Sequence, residues 1–291
     1  VEHFPATRGG EALSLGHRRE INAHLAALPE LAFSEASFAN LFLFRGVHRY
    51  RFHREPWPHI SGVTYDGVAH VMPLVALSPT RAEALSGRTA CLYPVAEQDV
   101  AALGAGWHAE FVAEDSDYLF DARTLAALPK ERRRQARKLE QLFAPELTIG
   151  VPNFTEMAVP ILDLWLAEVG KSSEATDYDN CREAIEHGET LGLINAVASI
   201  AGESCGFLLA SPLPDGSMAV HFAKATRIFP ALYPWMFSQF ASRCGRPRLN
   251  FEQDLGLPGL RQAKRALDPL RMLHKYRVRP RPPDEAAPPV P

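Results

Sequence analysis

Cysteine is scarce and scattered. Cys91, Cys181, Cys205 and Cys244 form no CxxC pair, which excludes a vicinal-thiol redox centre and a cysteine-based structural zinc. The four read as reduced, mostly buried thiols. Histidine is commoner, with eleven residues, yet no HExxH occurs, and His48, His53 and His59 lie in a strand-like stretch at spacings that do not converge on one point. No metal site is expected. Also missing are a run of about 18 apolar residues and, at the start "VEHFPATRGGEALSLGHRRE", the apolar core of a signal peptide. A soluble, cytoplasmic protein without a transmembrane segment is therefore expected. Charge of one sign is lacking too: 31 basic and 34 acidic residues leave a net charge of −3, so a polyanion would have to meet a local patch.

What is present is ample apolar material, 46% of 291 residues, enough for two domains of ordinary size. The first half reads as an opening helix, the segment "EASFANLFLF", and an antiparallel meander whose Asp66-Gly67 pair marks a hairpin. A helix begins after Ser78, and "TACLYPV" reads as a strand. "HAEFVAEDSDYLFD" reads as a further strand and "ARTLAALPKERRRQARKLEQLF" as a long basic helix crossed by Pro129. The pattern then restarts: two helices, three strands joined by Ala201-Gly202-Glu203 and Pro214-Asp215-Gly216 turns, a helix near Pro234, and a last strand "RLNFEQ". Two α/β (α+β) units of similar plan are expected over residues 1–145 and 146–279, with a proline-rich disordered tail over 280–291.

Two charged features stand out. Lys130, Arg132, Arg133, Arg134, Arg137 and Lys138 crowd one helix, and a second basic run extends from Arg261 through Lys264, Lys275 and Arg277 to Arg281. Either is a solvated face or a phosphate-binding surface for RNA. The stretch "LNFEQDLGLPGLRQAKRAL" places Asn250, Glu252 and Asp254 at a strand end, where buried polar groups need partners.

That stretch resembles the "YINxExDLGxxGLRxAKxSYxP" signature of phosphatidylglycerol lysyltransferase C-terminal-like domains. Three more segments are similar to the same family in the same order: "EASFANLFLF", "DSDYLFDARTLAALPKERRRQARKLEQLF" and "VHFAKATRIFPALYP". The resemblance implies tandem GNAT-like domains, each a mixed, mainly antiparallel sheet flanked by helices. It also implies an acyltransferase activity, related to Fem-type enzymes, in which an aminoacyl group leaves aminoacyl-tRNA. No cofactor beyond that donor is implied. Departures from the pattern are Ala223 before Lys224, Phe251 beside Asn250, and Ala231 and Pro234 at a helix start. The Gly-rich pyrophosphate loop that an ordinary GNAT carries after this strand is also missing, so acyl-CoA is the weaker donor.

Transfer from an activated ester needs positioning, a base and oxyanion stabilisation. On "RLNFEQ", alternation aims Asn250 and Glu252 to one side. Glu252 can take the acceptor's proton or hold the donor's α-ammonium, and Asp254 the latter; alternatively both acids pair with Arg261 and Lys264 and fix the turn. Lys224 is a cation for an oxyanion or a tRNA phosphate, or else an ion-pair partner of Glu252. His221, on the other side of its strand, is a base or a hydrogen-bonded core residue. Asn40, Asp117, Tyr118, Tyr233, Asn250, Arg261 and Lys264 complete the candidate substrate contacts, and Lys130, Arg133, Arg134, Arg137, Lys138, Lys275 and Arg277 the candidate RNA contacts. The expected function is a soluble aminoacyltransferase acting from aminoacyl-tRNA onto the amine or hydroxyl of a small molecule. The alternatives are an acyl-CoA-dependent N-acyltransferase and a non-catalytic RNA- or metabolite-binding protein on the same scaffold.

Overall fold

The computed structural model describes residues 9–86 and 91–281. The chain divides into two compact units, residues 1–116 with 273–291, and residues 117–272.

The first unit opens with β1 (Glu11–Ala12), α1 (Arg18–Ala26), α2 (Phe38–Leu43) and α3 (Arg45–His48). β2 (Arg51–His53), β3 (His59–Val63) and β4 (Ala69–Pro73) form the antiparallel meander expected from the Asp66-Gly67 turn, where Gly67 takes φ +84°. α4 (Pro79–Ser86) then leads to β5 (Cys91–Val95), parallel to β4, and α5 (Glu97–Leu103) to β6 (Trp107–Phe111). A short core of Val71, Leu85, Leu92, Val95, Leu103 and Val278 lies against α4 and α5.

The second unit begins at β7 (Asp117–Asp121) and continues through α6 (Ala122–Ala127), α7 (Lys130–Phe143), β8 (Glu146–Ile149), α8 (Phe154–Val169), α9 (Tyr178–Glu186) and α10 (Gly188–Leu191). β9 (Ile194–Ile200), β10 (Glu203–Pro212) and β11 (Met218–Ala225) form its meander. α11 (Leu232–Arg243) crosses to β12 (Arg248–Asn250), which is parallel to β11, and α12 (Pro258–Arg265) precedes β13 (Arg271–Leu273). The chain then returns to the first unit as β14 (Tyr276–Pro280). The sheet orders are β1-β2-β3-β4-β5-β14-β6 and β13-β7-β12-β11-β10-β9-β8. Each is a mixed, mainly antiparallel sheet flanked by helices, the tandem GNAT-like α/β arrangement.

Several elements differ from the sequence expectation. The run from His108 to Asp121 is two strands, because a 3₁₀ turn at Ala113–Asp115 separates β6 from β7 and the two join different sheets. The compact units accordingly change over at residue 116, ahead of the expected boundary at 145, since β7 pairs with β12 (Leu249 opposite Phe120) and α6 packs on α11. Leu128 at φ +55° and Pro129 split the expected long helix into α6 and α7. "RLNFEQ" is not the last strand; β13 and β14 follow it. The expected tail lies outside the described residues from 282 onward.

Candidate active site

All of the site described here lies within residues 117–272. Its frame is the segment after β12. The strand ends at Asn250, and Glu252 turns into the left-handed region at φ +56°, so the expected alternation of Asn250 with Glu252 breaks there. Asn250 is fully buried and fixes this turn: its Oδ1 accepts from the Glu252 N–H at 2.7 Å, and its Nδ2 donates to Asp117 at 2.9 Å. Phe251 points away and packs on Phe120 and Phe237, each ring centroid 4.7 Å distant.

The two acids at this turn have different partners. Asp254 is 3% exposed and receives both arms of Arg261 (2.8 and 3.1 Å), the Tyr118 hydroxyl (2.6 Å) and the Gly256 N–H (2.9 Å). Burial works against its charge, but the donors, led by Arg261 and then Tyr118, outweigh it and hold the carboxyl at about 2. Lys264 bonds the backbone of this turn. Its ammonium donates to three successive carbonyls, those of Phe251, Glu252 and Gln253, at 2.5, 3.3 and 2.5 Å. The expected structural pairing is present for Asp254 with Arg261, and Lys264 adds a backbone clamp.

Glu252 is held by a residue from the meander. His221 Nδ1 lies 2.7 Å from Glu252 Oε1, and His221 Nε2 lies 2.7 Å from Ser211 Oγ. A β-bulge creates this geometry. Leu209 stands opposite Phe222 and Ala210 opposite Val220, which leaves His221 as the unmatched residue of β11 and frees it from strict alternation. A carboxylate only accepts, so Nδ1 carries the proton in the neutral ring, and Nε2 then accepts from the Ser211 hydroxyl. The His221 side chain is fully buried.

Lys224 sits further along β11 and bonds both oxygens of Asp177, at 2.6 and 2.8 Å, while its ammonium lies 3.7 Å above the Trp165 ring. The alternative pairing with Glu252 is replaced by this one. Tyr233 closes the strand end, accepting from the Ala225 N–H at 3.0 Å; burial pushes its hydroxyl up to about 12. Just beyond, Glu168 accepts from Thr226 Oγ1 (2.7 Å) and from the Arg227 N–H (2.8 Å). A carboxylate therefore occupies a backbone donor, the Arg227 N–H, in the loop between β11 and α11, where an ordinary GNAT would offer such donors to a pyrophosphate.

The remaining candidates scatter. Asn40 lies buried in α2, in the other unit. Lys130, Arg133, Arg134, Arg137 and Lys138 are exposed on α7, as a phosphate-binding face requires. Lys275 and Arg277 are not surface groups. Lys275 is fully buried against Glu35 at 2.7 Å, and Arg277 pairs with Asp66 at 2.7 Å and Asp115 at 2.8 Å, so the C-terminal basic run does not present them to a polyanion. Sequence reasoning missed Ser211, Asp177, Trp165 and Glu168. Ser211 carries no local signal, a lone hydroxyl in an apolar strand.

Among the described residues no group of His, Cys, Asp and Glu is placed to hold a metal ion, and no helix is long and apolar enough to cross a membrane. Among curated proteins none matches the chain. Solved structures do. A conserved protein of unknown function from Bacteroides thetaiotaomicron VPI-5482 is similar at a TM-score of 0.81 and 20% identity, over 94% of this chain and 99% of that one. L-PGS from Bacillus licheniformis is similar at 0.60 and 17%, over 94% and 93%. The C-terminal domain of a putative lysylphosphatidylglycerol synthetase from Agrobacterium fabrum is similar at 0.60 and 14%, over 94% of each chain. At these identities the likeness is one of fold. Residues 28–279, nearly the whole chain, match the family "Phosphatidylglycerol lysyltransferase, C-terminal". The chain belongs to that family and, with it, to the GNAT-like aminoacyl-tRNA-dependent acyltransferases.

Proposed function

We propose that this protein moves an aminoacyl group from aminoacyl-tRNA to the amine or hydroxyl of a small molecule. The observation that carries the reading is the Ser211–His221–Glu252 line, which gives a member of this family an oriented base beside the turn held by Asn250 and Lys264. Glu252 fixes the tautomer of His221 and stabilises the imidazolium that forms when the acceptor's proton arrives. Lys224, neutralised by Asp177 and seated on Trp165, keeps a fixed cation on the same strand, suited to the donor's phosphate or to the developing oxyanion. Asp254, Arg261 and Tyr118 hold the turn. The exposed basic residues of α7 offer salt-sensitive contacts to the RNA backbone.

Acyl-CoA is disfavoured as donor by Glu168, whose charge sits on the Arg227 N–H in the loop where a pyrophosphate would need backbone donors. A cytoplasmic location, where charged tRNA is found, accords with this reading. The test is incubation of the purified protein with total tRNA charged with labelled amino acids and a panel of small amines and alcohols. Transfer of label to an acceptor is expected. Glu252→Gln should lower it by about 10²-fold or more, because the amide no longer stabilises the imidazolium. Failure to consume any charged tRNA at low salt would overturn the assignment.

A further inference from the structure

The hydrogen-bond line raises a question that a base alone does not answer. His221 is buried, its Nδ1 is engaged by Glu252, and its Nε2 faces Ser211 Oγ at 2.7 Å. The group that His221 Nε2 meets first is therefore the serine hydroxyl. A hydroxyl hydrogen-bonded to an imidazole whose other nitrogen is held by a carboxylate is the arrangement that activates a serine as a nucleophile. The bulge leaves His221 as the unmatched residue of β11, and its imidazole meets the Ser211 hydroxyl of the neighbouring strand.

Taking an aminoacyl ester as donor, we infer that Ser211 is the nucleophile of a two-step transfer that proceeds through an aminoacyl ester on its own oxygen. In the first step Ser211 Oγ attacks the ester carbonyl carbon as its proton passes to His221 Nε2. The new C–O bond forms, the carbonyl electrons move onto oxygen and return, and the bond to the ribose oxygen breaks. His221 gives the proton to that departing oxygen, so uncharged tRNA leaves. In the second step the acceptor's amine or hydroxyl attacks the Ser211 ester. Its proton passes to His221, and from there to Ser211 Oγ as the ester bond breaks. No oxidant, reductant or further reagent is needed.

The consequence is ping-pong behaviour: uncharged tRNA can leave before the acceptor arrives. Two probes test it on the whole chain. Total tRNA charged with ¹⁴C-labelled amino acids is mixed with the protein without acceptor, quenched in acid and treated with ribonuclease; a fluorophosphonate is used in parallel as a donor-independent reporter of an activated serine. Alkali-labile label and a phosphonyl adduct are both expected on the peptide containing Ser211. Both should disappear in Ser211→Ala, which should also lose about 10²-fold or more of transfer while keeping the wild-type melting temperature. In Ser211→Cys, label should accumulate as a thioester sensitive to hydroxylamine.

Transfer by Ser211→Ala at the wild-type rate would overturn the inference and leave the proposed function standing. So would a strong loss of transfer in Ser211→Ala with no covalent label on wild type from either probe, which would make the serine a proton relay. A phosphonyl adduct at Ser211 without any consumption of charged tRNA would support the activated serine and overturn the donor assignment.

Discussion

Replacing Lys264 with methionine separates the clamp's role from that of charge elsewhere in the turn. The ammonium holds the carbonyls of Phe251, Glu252 and Gln253, and the residue is 9% exposed, so water replaces those bonds poorly. Hydrogen bonds to a charged donor contribute about 1.5–3 kcal/mol each, so losing three costs at most about 5–9 kcal/mol. Methionine, however, also relieves the desolvation of a buried cation, worth several kcal/mol, and its chain fills much of the same volume. A net destabilisation of the second unit by about 2–4 kcal/mol is expected. In urea that is a midpoint shift of about 1–2 M for a slope near 2 kcal/mol/M. Hydrogen exchange of peptides from residues 117–272 assigns the transition to that unit, and peptides spanning 249–257 should lose protection first. Because Glu252 follows the turn, the His221 contact should go with it, and transfer should fall in parallel. A shift below about 0.5 kcal/mol, with exchange at 249–257 unchanged, would refute the idea that the clamp holds the turn.

Other outcomes follow from features elsewhere. In the first unit His48 and His70 are buried, His70 with Nδ1 unpartnered among the described residues; burial pushes them down to about 4 and about 3, below the usual 6.5. The unfolded chain then takes up protons first, so stability present above pH 6.5 is lost as pH falls toward 4 and 3. Each histidine should remove about 2 kcal/mol between pH 7 and pH 5, read as a fall in the urea midpoint that His70→Asn makes shallower. Gly206→Ala should cost about 1–3 kcal/mol, because a Cβ there would lie 2.6 Å from Met236 Sδ and 3.0 Å from Ala225 Cβ; an unchanged melting temperature would contradict this. Changing Arg133, Arg134 and Arg137 to glutamate should weaken tRNA binding and lower the salt slope by about 2–3, with no loss of thermal stability, as all three are exposed on α7; filter binding across a salt series measures it.

The tandem plan was legible because turn dipeptides and alternation mark a meander in each half: Asp66-Gly67, Ala201-Gly202 and Asp215-Gly216 all form the turns their residues favour. Sheet membership was not legible. Nothing between His108 and Asp121 says that β6 and β7 pair with different sheets. β14 did carry a signal, since Tyr276 and Val278 alternate with Arg277 and Arg279, but the arginines drew it into a basic run, and burial with Asp66 and Asp115 is a tertiary outcome. At the site, Asp254 with Arg261 could be read from charge and spacing. His221 facing Ser211 could not, because a bulge is a property of two strands in register and one sequence stretch does not encode it.

The route of the chain through the first unit bears on its biosynthesis. β14 lies between β5 and β6, hydrogen-bonded to both, yet it is made after the whole of the second unit. On the ribosome, β5 and β6 thus wait with bare edges while the intervening polypeptide is translated, roughly ten to thirty seconds at about 5–20 residues per second. The second unit, contiguous in sequence, can fold during that interval. The unit that begins synthesis first is the one that closes last, and the nascent chain needs protection from edge-to-edge pairing until Tyr276–Pro280 emerges.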